Sequence, residues 1–143
     1  MVQKIALYIL LTQFVQEVCS KLDRNDLNIR YKLGKEATCY ENGRYIKDMK
    51  YMNRNLKKVV CIDWDPDALK YSEKNSIIIP KFEGDGRDRE LVMMIPFLKE
   101  LAKPEIQDVR VELDKYGHYK PHIKFYKMHP KYHKLLPPEV RFY

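Results

Sequence analysis

Hydrophobic and polar positions divide the chain into a regular succession of elements. Residues 5–11, "IALYILL", are the longest apolar run. At seven residues it is far too short to span a bilayer, and no small-residue cleavage site follows it. It predicts a buried strand. Residues 13–22 place Phe14, Val15, Val18 and Leu22 at helical spacing, so a short helix follows. Leu27, Ile29, Tyr31 and Leu33 alternate as in a half-buried strand. Residues 38–46 read as two short strands around Asn42-Gly43, a hairpin-turn dipeptide. "VVCID" (59–63) predicts the best buried strand of the chain, and "SIIIP" (76–80) another, stopped by Pro80. Asp88 is placed to cap a helix over 89–102 with Leu91, Met94, Ile95, Leu98 and Leu101 on one face. Pro96 lies inside that pattern and should kink the helix or shift its start. Pro104 ends it, and residues 105–116 form a last short helix.

Strand, helix, strand, hairpin, strand, strand, helix implies an α/β fold with a largely parallel sheet. In such sheets functional groups gather just beyond the carboxyl ends of strands. Thr12 and Asp63 stand at such ends, and Asp63 opens the acidic stretch "DWDPD" with Asp65 and Asp67.

Composition refines this picture. The chain has 143 residues, 45% hydrophobic and 33% charged, which is ordinary globular material for one domain with a core. The net charge of +7 hides an asymmetry. Residues 115–143 carry seven bases against Glu139 alone, a net of +6, while residues 63–90 carry eight acids against five bases, a net of −3. An acidic middle and a basic tail bias which partners are attracted, not which fold forms. Cys19, Cys39 and Cys61 form no CxxC pair and read as reduced, mostly buried apolar residues. The tail, 117–143, holds four prolines, four tyrosines and all four histidines. His118/His122 and His129/His133 have the i,i+4 spacing of a helical metal site, but Pro121 and Pro130 fall inside those windows and argue against helix. The expectation is an extended tail, solvated or bound to a partner, with no metal. Lysines interleaved with tyrosines also suit nucleic acid or anionic lipid, a weak signal, and no nucleic-acid partner is expected.

Longer stretches carry a resemblance. "RYKLGKEATCYENGRYIKD", "YIKDMKYMNRNLKKVV", "EKNSIIIPKFEGDGRDREL", and "IPFLKELA" followed by "IQDVRVELDKY" occur in this order. Together they resemble the phosphatase-homology domain of the small C-terminal-domain phosphatase type, a branch of the haloacid dehalogenase superfamily. Within that branch the chain is similar to the presequence-receptor family of the mitochondrial inner-membrane import translocase. The likeness covers roughly residues 12–116 as one co-linear match.

The resemblance implies a haloacid-dehalogenase-like parallel sheet with flanking helices and a β-hairpin, here without its N-terminal first strand. It implies a partial phosphatase-homology domain over 1–116 and a basic Tyr/His/Pro-rich tail over 117–143. Active members use an aspartate nucleophile in a DxDx[TV] motif, a threonine or serine and a lysine for the phosphoryl group, and a last acidic motif that helps hold magnesium. Carried over by position, Thr12 matches the threonine, Lys47 the lysine, and Asp63 with Asp65 the last motif. Trp64 falls where active members place the metal-binding asparagine, and an indole does not ligate magnesium. No DxDx[TV] precedes Thr12. These positions are therefore vestigial, with Lys47 expected to pair with Asp63, and no catalytic residue, metal or cofactor is expected.

A central strand missing from such a sheet leaves two apolar edges. Three readings remain: the chain is part of a longer protein, a partner supplies a strand by edge addition, or 5–11 pairs directly beside 59–63. By resemblance, the function is that of a non-enzymatic receptor for cationic targeting peptides in protein import into the matrix. Its home would be the mitochondrial inner membrane and intermembrane space, with other translocase subunits as partners and membrane association through a complex or an anchor. The binding acids would be Asp63, Asp65, Asp67, Glu83, Asp85 and Asp88. The bland reading is that these acids cap helices and turns. The alternatives are a protein serine/threonine phosphatase, which needs an upstream DxDx[TV], and a structural subunit of a larger mitochondrial assembly.

Overall fold

The apolar run at the start of the chain contributes β1 (Ile5–Tyr8), which pairs in parallel with β2 (Ile29–Leu33). This computed structural model describes residues 5–8, 12–25, 27–118 and 121–135. The chain divides into two units, one ending at Asp48 and one beginning at Met49. Helix α1 (Thr12–Leu22) connects β1 to β2. It buries Val15 and Cys19, with Val18 half-buried. Leu22, expected on the buried face, is exposed at the helix end, and the side chain of Phe14 lies outside the described residues. Asp23 then organises the turn into β2: its carboxylate accepts from the backbone N–H groups of Leu27, Asn28 and Ile29. Those bonds, from Ile29 and Asn28 above all, hold its carboxyl below the usual range.

The hairpin forms as expected. β3 (Cys39–Glu41) pairs antiparallel with β4 (Arg44–Ile46), and Asn42 and Gly43 have φ of 49° and 79°. Positive φ at both turn residues matches the right-handed twist of the strands, and glycine takes it without strain. The Tyr40 and Tyr45 rings meet across the pair, tilted at 47° with centroids 4.7 Å apart. Cys39, expected to be buried, is exposed, because this two-stranded ribbon turns most of β3 to solvent. No disulfide joins the three cysteines.

In the second unit β5 (Cys61–Asp63) pairs in parallel with β6 (Ser76–Ile78), Ile62 opposite Ile77. The expected long buried strand over 59–63 is thus three residues, and Ile62 is 37% exposed. Ile77 sits in the core, while Ile62 lies at the edge of a two-stranded sheet beyond it. Among the described residues the fold is mixed α/β, with two parallel pairs and one hairpin. Residues 5–8 belong to the first unit and 59–63 to the second, and residues 9–11 lie outside the described residues.

The core of this unit is made by helices. α2 (Glu90–Leu101), α3 (Val109–Tyr116) and α4 (Pro121–Met128) contribute Met94, Phe97, Leu101, Leu113 and Phe125 around Ile77. Asp88 Oδ1 accepts from Glu90 N, as a cap should, and Asp108 caps α3 by accepting from Arg110 N. The Arg110 guanidinium beside Asp108 holds that carboxyl at about 2. The inward face of α2 is Met93, Met94, Pro96, Phe97 and Leu101, whereas Leu91 and Ile95, expected inside, are exposed. The helix runs through Pro96 without a break. One backbone bond is lost there, but the buried ring adds packing.

Residues 121–135 also correct the expectation of an extended tail. Pro121 is the first residue of α4, where its missing N–H costs no helical bond, and Pro130 opens a 3-10 turn (Pro130–Leu135). Phe125 and Tyr126 are fully buried, and Phe125 stacks on Tyr132 at 5.3 Å. The histidines serve packing and backbone. His118 Nδ1 meets the Ser76 carbonyl at 3.0 Å, His129 lies on Phe125, and His133 Nε2 meets the Tyr126 carbonyl at 2.8 Å. The His122 side chain lies outside the described residues.

A small buried polar network holds β5 in place. Asn75, 4% exposed, donates from Nδ2 to the carbonyls of Leu56 and Val59, both at 2.7 Å. Ser76 Oγ donates to the Ser72 carbonyl, and Ser72 Oγ accepts from Met49 N at 2.9 Å. The segment entering β5 is thereby tied to the segment entering β6.

Two outcomes follow. Asn75→Ala removes both amide bonds, leaving the Leu56 carbonyl only its bond from Val59 N, and should cost about 1–3 kcal/mol. Urea unfolding measures it, and a loss under about 0.5 kcal/mol would show the network to be dispensable. Phe125→Ala should cost about 3–5 kcal/mol. A solvated tail would instead make that substitution nearly neutral in the same titration.

Candidate functional site

The candidate site is the turn that follows β5. β6 fixes its start: Ile79 N donates to the Asp63 carbonyl at 2.9 Å, so the strand pair persists to its last residue. The buried Asp63 side chain then folds back on its own loop. Its Oδ1 accepts from Trp64 N at 2.7 Å and from Asp65 N at 3.1 Å. Asp65 Oδ1 accepts from Asp67 N at 3.0 Å, and Asp67 opens a 3-10 turn (Asp67–Leu69) that buries Ala68 and Leu69. Short aspartate side chains bonding N–H groups one or two residues on are what turns this tight require. The three aspartates beyond the strand thus shape the loop.

Trp64 stands outward at 52% exposure, and the Lys81 ammonium lies 5.4 Å from its ring centroid. Lys81 follows β6, so this cation–π contact joins the loops beyond both strands. Sequence reasoning missed Lys81. The signal was that residues following two adjacent parallel strands emerge at the same sheet end. Glu83 lies 3.4 Å from Lys81, and both are solvent-exposed. Asp85 pairs with Arg87, which holds its carboxyl below the usual range, and Asp88 caps α2.

Thr12 and Lys47 belong to the first unit. Thr12 begins α1 after β1, and its side chain lies outside the described residues. Lys47 follows β4 in the first unit, half-buried, whereas Asp63 and Asp65 belong to the second unit. Within the second unit Asp63, Asp65 and Asp67 come together around one loop, and Glu83 sits on the next.

Asp63 Oδ1 is engaged by two backbone N–H groups, the next side chain is an indole, and Asp65 serves Asp67 N. Among the described residues no three His, Cys, Asp or Glu side chains converge as metal ligands. No helix of the described residues is long and apolar enough to cross a membrane.

Comparison with known proteins gives the wider frame. Residues 10–110 match the family described as NLI interacting factor-like phosphatase. The chain is 37% identical over 132 residues to the mitochondrial import inner membrane translocase subunit tim50 of Aspergillus fumigatus, covering 90% of this chain and 26% of the relative. It is 41% identical over 103 residues to the subunit of that name from Candida albicans, covering 72% and 22%. It is 36% identical over 91 residues to the TIM50-B subunit of Drosophila melanogaster, covering 64% and 22%. The chain spans about a quarter of the length of the curated relatives it matches. The family match runs unbroken through the hairpin, the Asp63 turn, and helix α2, and the chain belongs to the NLI interacting factor-like phosphatase family.

Proposed function

We propose that this chain is the phosphatase-homology portion of a non-enzymatic binding subunit of the mitochondrial inner-membrane import machinery, exposed to the intermembrane space. The observation that carries the non-enzymatic half is the Asp63–Trp64 turn, where backbone N–H groups and an indole occupy the place of a metal site. The import half rests on the relatives, which bear the name of translocase subunits. The fold proposed is the haloacid-dehalogenase-like parallel sheet with flanking helices. Parallel pairing of β1 with β2 and of β5 with β6 supports it. The phosphatase-homology portion runs to about residue 116, with 117–143 appended, and the family match ending at residue 110 supports that boundary.

The partners proposed are translocase subunits and cationic amphipathic targeting peptides. A strand supplied by a partner beside β5 is compatible with the exposure of Ile62. The peptide site is the acidic rim formed by Asp63, Asp65, Asp67, Glu83, Asp85 and Asp88. Their present bonds rank them. Asp63 and Asp88 serve backbone N–H groups and Asp85 serves Arg87, whereas Asp67 and Glu83 are the exposed members, Glu83 3.4 Å from Lys81.

Two measurements test this. The purified chain with magnesium should leave a small aryl phosphate unhydrolysed. Turnover that disappears in Asp63→Asn would overturn the non-enzymatic reading. A labelled cationic amphipathic helix should bind at low salt, and Asp67→Asn with Glu83→Gln should weaken it about three- to tenfold, the worth of two rim charges. Unchanged affinity would remove the acidic rim from the proposal.

A further inference from the structure

The second unit carries a feature unrelated to the strand-end acids. The dipeptide Lys-Tyr occurs at Lys50-Tyr51 and again at Lys70-Tyr71. Met49 precedes the first and Ser72 follows the second, and the buried bond from Met49 N to Ser72 Oγ, 2.9 Å, fastens the two segments together. The consequence shows at the surface. Lys50 Nζ lies 4.9 Å from the Tyr51 ring centroid and 6.0 Å from that of Tyr71, and Lys70 Nζ lies 4.7 Å from Tyr71. Tyr51 and Tyr71 are 66% and 55% exposed, and both lysines are exposed.

A lysine resting on a ring loses part of its side-chain freedom before any ligand arrives, so an incoming anion meets a more ordered ammonium. The tyrosines add flat apolar area and phenolic donors that suit carboxylates. We propose that the Lys50/Tyr51–Lys70/Tyr71 patch is a docking surface for a short acidic segment of a partner protein, its carboxylates on the two ammonium groups and its apolar side chains on the two rings. Charge decides against nucleic acid. Asp67 and Glu73, both exposed, bracket the second dipeptide in sequence and interrupt the positive surface. Discrete carboxylates tolerate that interruption, whereas a uniform polyanion is repelled by it.

The test uses the full chain and a short labelled peptide of alternating glutamate and leucine, followed by fluorescence anisotropy at low salt. Because the chain carries +7 overall, the control removes equal charge elsewhere, by Lys99→Gln with Lys134→Gln. Lys50→Gln with Lys70→Gln should weaken binding about tenfold, and the control should change it less than twofold. Tyr51→Leu with Tyr71→Leu should also weaken it, with both lysines kept. Circular dichroism confirms that each variant is folded. Equal loss in the control would mean that the peptide reads only net charge, which overturns the proposal. So would tighter binding of oligothymidylate than of the peptide, which would make the patch a nucleic-acid surface. Loss of peptide binding through self-association of the chain would assign the patch to a second copy and overturn it as well. The cationic-peptide measurement involves other residues, so either result leaves the other standing.

Discussion

The second unit depends on one buried side chain. Asn75 reaches back to the carbonyls of Leu56 and Val59 and so fixes where β5 begins relative to β6. A strand of three residues has few ladder bonds of its own, and a two-stranded sheet is marginal without further support. The buried amide supplies two directed bonds to the segment entering β5, and losing them would be costly. Ser72 and Ser76 continue the same network. From it follow the register of Ile62 with Ile77, the position of Asp63 at the strand end, and the side-by-side setting of the two Lys-Tyr dipeptides.

Asp63 illustrates how one residue type serves two chemistries. A carboxylate beyond a parallel strand is well placed to hold a metal or phosphoryl group. It is equally well placed to accept the N–H groups that a departing strand leaves unpaired. Here the second use prevails. Oδ1 accepts from two successive N–H groups, and the neighbour at Trp64 contributes packing and a cation–π contact to Lys81. Those bonds define one shape for the loop, which suits recognition, because little order has to be imposed when a partner arrives.

What was legible in the sequence was local. Asn42-Gly43 dictates a turn through its own backbone preference, and Asp88 and Asp108 cap helices through bonds to residues two positions away. The spacing of α1 and the punctuation at Pro80 and Pro104 act over the same short range. The resemblance extended this to the family. The misreadings all involve distant partners. Leu91 and Met93 are both good helix residues, and only the arrival of α4 decides that Met93 packs inward against Tyr126. Ile62 and Ile77 look alike in sequence, but only Ile77 meets Phe97, Leu113 and Phe125. The local aspartate turns were visible as an alternative reading of the same acids, since Asp63 and Asp65 bond N–H groups one or two residues on.

The prolines of the last segment carry this reasoning furthest. A proline inside a histidine pair argues against a helix only if the helix must begin before it. α4 begins at Pro121 itself, so the same residue that excludes a helix across His118–His122 starts one that buries Phe125 and Tyr126. The exclusion and the start are one physical fact, the missing N–H, read from opposite sides. His118 is then left outside the helix, where its backbone carbonyl accepts from Ile78 N and its ring meets the Ser76 carbonyl. A residue that spacing offered as a metal ligand thereby becomes the neighbour of β6 on the side away from β5. The basic segment is fastened to the strand pair through that contact and to α2 through the Tyr132 hydroxyl on Glu100. Its described lysines, Lys124, Lys127, Lys131 and Lys134, are exposed on the elements that those contacts fasten.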